Sequence, residues 1–180
     1  GNRLRHHVHH VASVDVAIDA LEDPGGVKHP RVMRLPAGRR VERGSVEHHG
    51  GAAGTHPARE VDVIRCVAGR GIEGDRYFDF KPDFKGQITF FADEVYRALC
   101  EQFGLKDKPP SVFRRNVITR GLDLESLIGQ QFEIQGVKFL GTESCKPCYW
   151  MDQAFCPGAE AALAGRGGLR AKILDEGVLR

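Results

Sequence analysis

The chain reads as an α+β domain that is predominantly β, with a barrel-like sheet and small helices between its strands. Three observations lead there. From residue 60 onward, apolar residues come in short runs rich in Val, Ile and Phe, each closed by Gly or a Gly-containing turn. A spacing of four is sustained in one stretch, so helices are few. Strands follow one another through turns instead of alternating with long helices, which disfavours a parallel doubly wound sheet. At 180 residues, with 41% apolar and 28% charged residues, the chain can build one ordinary globular core.

The elements follow in order. Residues 1 to 57 hold all eight histidines and no Phe, Tyr or Trp. His6-His7-Val8-His9-His10 has the composition of a metal-binding tract, but a disordered or non-native extension over residues 1–44 is the simpler reading. Val11 to Leu21 has helix-like apolar content that stops at Asp23-Pro24-Gly25-Gly26. From there to Pro57 nothing is periodic, which reads as loop. All ten Phe lie beyond residue 77, so the core belongs there.

Glu60 to Ala68 is a strand-like run ending at Gly69, and Gly71-Ile-Glu-Gly-Asp-Arg76 is a Gly-punctuated turn. Gly86 to Phe91 is a short strand with Ile88 and Phe90 on one face. Phe91, Val95, Leu99 and Phe103 then form the stripe of a helix, with Asp93 and Glu94 at its positive end and Gly104 as its left-handed cap. Lys108-Pro109-Pro110 is a loop. Phe113 to Thr119 is a further strand, and Leu122 to Ile128 a helical turn or two stopped by Gly129. Gln135-Gly136 makes a hairpin between Phe132-x-Ile134 and Val137-x-Phe139. Pro157 opens a last helix, Ala159 to Ala164, closed by Gly165. The expectation is four to six short strands.

Composition narrows the function. A net charge of +2 gives no bulk electrostatic argument for nucleic acid or membrane. No run of 18 apolar residues suggests a membrane span, and no charged-then-apolar leader suggests secretion. Five cysteines, unevenly placed, do not form a disulfide framework and fit a reducing cytoplasm.

Cys145 and Cys148 flank Lys146-Pro147 directly after a strand-like run. A thiolate is the form that attacks, carries sulfur or ligates metal, and Lys146 would favour it. Pro147 stiffens the loop, so Cys148 is presented at a fixed angle. Several readings stand side by side. One is a single working cysteine with a bystander. A second is a zinc-stabilised binding module using Cys145, Cys148, Cys156 and one of His48, His49 or His56. A third is a thiol-disulfide oxidoreductase, although the pair follows a hairpin instead of opening a helix. Inert buried thiols are the fourth. Arg114-Arg115-Asn116 offers planar donor forks suited to phosphate, or else a solvated edge strand. Asp75 with Arg76 is either a local ion pair in a turn or part of a site. No phosphate loop is present.

As a set, these segments resemble a family. Gly71-Ile-Glu-Gly-Asp-Arg76 is followed by Arg114-x-Asn116-Val-Ile, Gly121-x-Asp-Leu and Leu127-Ile-Gly129. Then come Phe132-x-Ile134-x-Gly136-Val137, Pro147-Cys148 and Gly168-Leu-Arg-Ala171. This order resembles the MOSC domain, named for the molybdenum cofactor sulfurase C-terminal region, from about residue 45 to the end. His49-Gly50-Gly51-x-x-Gly54-Thr-His-Pro57 looks like the opening segment of small stand-alone members. The resemblance implies a MOSC-type β-barrel, of the pyruvate-kinase-barrel-like type, with small peripheral helices. It implies that Cys148 carries sulfur as a persulfide or ligates molybdenum, and that Arg76, Arg114 and Asn116 contact an anionic molybdenum cofactor (molybdopterin). Cys145 is not a general family feature and is an accessory thiol, able to resolve a persulfide or tune the site. The family usually continues beyond Arg180 into a further strand, so a last strand is expected to be missing. No pyridoxal-phosphate lysine motif is visible, so sulfur would come from a partner such as a cysteine desulfurase. The alternative activity is reduction of small N-hydroxylated compounds.

Overall fold

The computed structural model describes residues 59–180 together with the strand backbones of residues 32–34 and 43–46. The histidine tract, Val11 to Leu21, and His48, His49 and His56 lie outside the described residues. The strands are β1 (Val32–Arg34), β2 (Arg43–Val46), β3 (Arg59–Val61), β4 (Ile64–Val67), β5 (Gly71–Ile72), β6 (Ile88–Ala92), β7 (Val117–Thr119), β8 (Gln131–Ile134), β9 (Val137–Ser144), β10 (Leu169–Ile173) and β11 (Gly177–Leu179). The helices are α1 (Asp93–Phe103), α2 (Trp150–Ala154) and α3 (Ala159–Ala162). No helix among the described residues is long and apolar enough to cross a membrane.

Eight strands form one curled mixed sheet in the order β1-β8-β9-β10-β6-β7-β2-β3, and β11-β4-β5 form a second, smaller sheet. The β1–β8 and β6–β7 pairs are parallel, and the others antiparallel. The run from Glu60 to Ala68 is therefore two strands, broken at Asp62-Val63, where the chain leaves one sheet and enters the other. Such a switch is how a sheet turns a barrel corner. The stretch read as loop supplies β1 and β2, whose three and four residues are too short to leave a periodic signal.

The core lies between the two sheets. Phe90, Phe132 and Phe139 are fully buried there, with ring centroids 5.3–5.5 Å apart. Ile64, Cys66 and Ile72 of the small sheet pack on the same cluster. Gln87 joins the sheets: its amide donates to the Gly69 carbonyl (2.9 Å), and its oxygen accepts from the Ile173 amide (2.8 Å). At the other end, Gln135 exchanges two hydrogen bonds with the Arg180 backbone (2.7 and 2.8 Å). The hairpin turn is as expected, with Gln135 and Gly136 at φ 51° and 82°. Gly141 in β9 has a steric reason: a Cβ there would come within 2.0 Å of the Leu127 carbonyl oxygen.

A second cluster covers the outer face of β6 and β7. Phe91, Phe113 and Phe155 stack in series at 5.0 and 4.8 Å, with Leu99, Met151 and Leu163 around them. Phe91 thus belongs to β6, not to the helix. α1 begins at Asp93 and ends at Gly104 in the left-handed conformation (φ 64°), as its sequence indicates. Buried Asp93 accepts from Arg97 (2.6 Å) and Arg120 (2.6 Å), tying the helix start to the end of β7.

Three more elements differ from the sequence reading. Phe113 closes a 3₁₀ turn, Pro110–Phe113, and strand pairing starts only at Val117. Leu122 to Ile128 reduces to a 3₁₀ turn, Glu125–Leu127. α3 ends at Ala162, before Gly165. In each case apolar spacing records which residues are buried, and the local hydrogen bonds decide the length.

Burial of Cys66 between the sheets pushes its thiol from an ordinary 9.0 up to about 12. Between those values the unfolded thiol has lost its proton and the folded one keeps it, so folding stability falls as pH rises. We expect denaturant unfolding of the wild type above pH 9 to lose about 1.4 kcal/mol per pH unit more than Cys66→Val. Parallel pH profiles for the two proteins would remove this role from Cys66.

Candidate functional site

The sheet register gathers the motif residues. Ser144 pairs with Leu169, Leu169 with Phe90, and Phe90 with Val117, so one row crosses four strands. Cys145 leaves β9 just after that row. Gly168 enters β10 just before it, and Asn116 enters β7 just before it. Segments far apart in sequence therefore meet because the strands stop or start at the same level.

Close backbone packing fixes the thiol loop. The Cys145 amide donates to the Gly168 carbonyl at 2.7 Å. A Cβ on Gly167 would sit 2.1 Å from the Cys145 carbonyl oxygen and 3.4 Å from Pro147 Cδ. Arg115 locks the same corner: its Nε donates to the Gly167 carbonyl and its Nη1 to the Phe113 carbonyl, both at 2.9 Å.

The two thiols lie in different surroundings. Cys145 is buried, and that burial pushes its pKa up. The nearby cations Arg115 and Arg170, and a hydrogen bond with Arg170, work against the shift. Arg170 in turn pairs with Glu143 at 3.0 Å. Cys148 is exposed. Its carbonyl accepts from the Met151 amide at 2.8 Å, so the loop runs directly into α2. Lys146 is exposed, and the cations around Cys145 come from β10 and from the residue after Arg114.

Arg114 lies in the left-handed region (φ 55°, ψ 42°), which costs a non-glycine residue roughly 1–2 kcal/mol. Its guanidinium carbon stands 3.8 Å from the centre of the Trp150 ring. The indole Nε1 donates to the Val112 carbonyl at 3.1 Å. Arg114 is thus tied to α2, two residues beyond Cys148.

Asn116 is engaged within the fold. Its Oδ1 accepts from the Thr89 amide (2.9 Å) and hydroxyl (2.7 Å), and its Nδ2 donates to Asp75 Oδ2 (3.2 Å). Asp75 is buried and accepts the Tyr77 amide at 2.9 Å. Through this relay Asn116 fixes the Gly71–Arg76 turn to β6. Arg76 follows Asp75 directly, stacks at 4.5 Å on Tyr77 and donates to its hydroxyl at 2.8 Å.

The three cysteines of the zinc reading are not grouped as ligands. Among the described residues no three His, Cys, Asp or Glu side chains are grouped to hold a metal. Cys156 packs in the outer cluster under α1 and α2, where burial and Asp152 push its thiol up. As for a thioredoxin-like pair, α2 opens at Trp150, beyond both Cys145 and Cys148. Sequence reasoning singled out neither Trp150, Arg115 nor Arg170 as a partner of the thiol loop. Trp150, two residues after Cys148 and the only tryptophan in the chain, was the available signal.

An exposed thiol suits a soft metal or sulfane sulfur, and a guanidinium held against a ring face keeps its edge for an anion. This donor set is compatible with a molybdenum–pterin phosphate: Cys148 for the metal, Arg114 and Arg76 for the anion. Gly74, next to Asp75 and Arg76, has open space where a Cβ would be.

Comparisons with known proteins agree on the fold. The family model described as "MOSC domain" matches residues 46–180. YuaD from Bacillus subtilis superposes with a TM-score of 0.61 at 19% identity, covering 78% of this chain and 90% of that one. YiiM from Geobacillus stearothermophilus gives 0.60 at 16% identity, covering 78% and 70%. YiiM from Escherichia coli gives 0.54 at 17% identity, covering 76% and 65%. No curated protein sequence matches the chain.

Two expectations follow from this geometry. Iodoacetamide should modify Cys148 well before Cys145, as read by tandem mass spectrometry that locates the adduct within the peptide carrying both thiols. Gly167→Ala should displace the Cys145 carbonyl, destabilise the fold by about 1–3 kcal/mol and raise Cys145 labelling. Equal labelling of the two thiols in the wild type would contradict the burial described.

Proposed function

Because the chain belongs to the MOSC domain family, we propose that it binds a molybdenum cofactor at Cys148, with Arg114 and Arg76 facing the anionic part. The observation that supports this most is the separation of the thiols. Cys145 is buried and hydrogen-bonded, while Cys148 is exposed on a loop continuous with the helix that carries Trp150, under Arg114. The bound cofactor would supply a molybdenum centre for reduction of small N-hydroxylated compounds.

The remaining work falls to the protein. Pro147 and the Gly167–Gly168 corner hold the start of the loop that leads to Cys148. Arg114 contributes a planar, permanently charged donor fork for an anion. Asn116 and Asp75 act one step back: they set the turn that carries Arg76. Cys145 stays protonated through the neutral range because of its burial, and it packs the corner without competing as a thiolate.

A second reading rests on the same exposed thiol. Cys148 would take sulfane sulfur from a persulfide donor of the cysteine-desulfurase kind. Its thiolate attacks the outer sulfur, the donor's S–S bond breaks, and the donor leaves as a thiolate.

Elemental analysis separates the two. Protein purified anaerobically from a host making the cofactor should contain stoichiometric molybdenum that Cys148→Ser lacks. Zinc in place of molybdenum would defeat both readings. Metal-free protein that gains one sulfur atom at Cys148 on exposure to a persulfide donor would favour the carrier.

A further inference from the structure

We propose that Trp150 is the positioning residue for the anion-binding Arg114, and that its indole reports on occupancy of that site. The inference rests on the reading of Arg114 as an anion ligand and adds how that side chain is held. Three observations carry it. Arg114 is fixed in a left-handed backbone conformation, at the end of the 3₁₀ turn that precedes β7. Its guanidinium carbon lies 3.8 Å from the Trp150 ring centre, within the range where the ring face attracts a cation. The ring is itself anchored, because Nε1 donates to Val112 and the next residue, Met151, is buried and donates its amide to the Cys148 carbonyl.

The division of the guanidinium makes this useful. Stacking occupies its face, and hydrogen bonding to phosphate or carboxylate uses its edge, so the two do not compete. An unstacked arginine would have to give up rotamer freedom on binding an anion; one held on an indole has given it up already. The same ring sits two residues from Cys148, so the thiol and the anion site share one mechanical support. An anion that draws on Arg114 changes the charge against the ring, and the emission of the chain's only tryptophan must change with it.

The probes are inorganic phosphate and phenyl phosphate, with binding followed by calorimetry and by tryptophan emission on the full chain. In the wild type we expect saturable binding and an emission change with the same midpoint, both lost in Arg114→Gln. Trp150→Phe should keep calorimetric affinity within about threefold, since the ring face remains, and Trp150→Leu should weaken it about tenfold. Calorimetric binding without an Arg114-dependent emission change would overturn the proposal, as would equal weakening by Phe and Leu. Should Trp150→Leu not fold, the wild-type and Arg114→Gln comparison decides alone. Failure here with molybdenum still bound at Cys148 would leave the cofactor reading intact. Absence of any phosphate binding would overturn the positioning role together with the anion role of Arg114.

Discussion

Phe90 and Phe91 are neighbours in a strand, so they must face opposite ways. The architecture depends on that constraint. β6 lies inside the large sheet between β10 and β7, and its two faces seed two separate apolar clusters. Phe90 meets Phe132 and Phe139 in the space between the sheets. Phe91 meets Phe113 on the outside, and Phe113 meets Phe155, which brings down the helical layer. The outer cluster is what brings α2, and with it Trp150, to the edge where Arg114 emerges.

The site is a consequence of where strands end. β9, β10 and β7 stop or begin beside one row of the sheet, and their free ends supply Cys145, Gly168 and Asn116. Two adjacent glycines let backbones touch there, since a Cβ on Gly167 or Gly168 would meet a carbonyl oxygen at 2.1 or 2.2 Å. Arginine then serves two different purposes. Arg115 satisfies backbone carbonyls and stabilises the corner, while Arg114, one residue earlier, is stacked on an indole. A left-handed residue between a 3₁₀ turn and a strand is what sends successive arginines to different tasks.

Burial separates the two cysteines. Desolvation disfavours a thiolate at Cys145 even with cations nearby, while Cys148 meets solvent three residues later. Motif spacing puts the pair on one loop but contains nothing about dielectric environment. Lys146, the cation closest in sequence, is exposed. Arg115 and Arg170, the cations that act on Cys145, come from β10 and from the loop before β7.

The sequence by itself determined the fold class, the helix from Asp93 to its Gly104 cap, the Gln135-Gly136 hairpin and the segment that carries the thiols. These are local matters, set by side-chain period and by residues able to adopt positive φ. It also marked Cys148, Arg76, Arg114 and Asn116 through an ordered set of motifs. Only the tertiary structure decided what Asn116 bonds to, which thiol is buried, and that Trp150 supports Arg114. It also decided that β3 and β4 belong to different sheets and that short β1 and β2 join the large one. Those outcomes depend on strand register and on partners tens of residues away, and no local pattern encodes a neighbour that the chain meets only after it has folded.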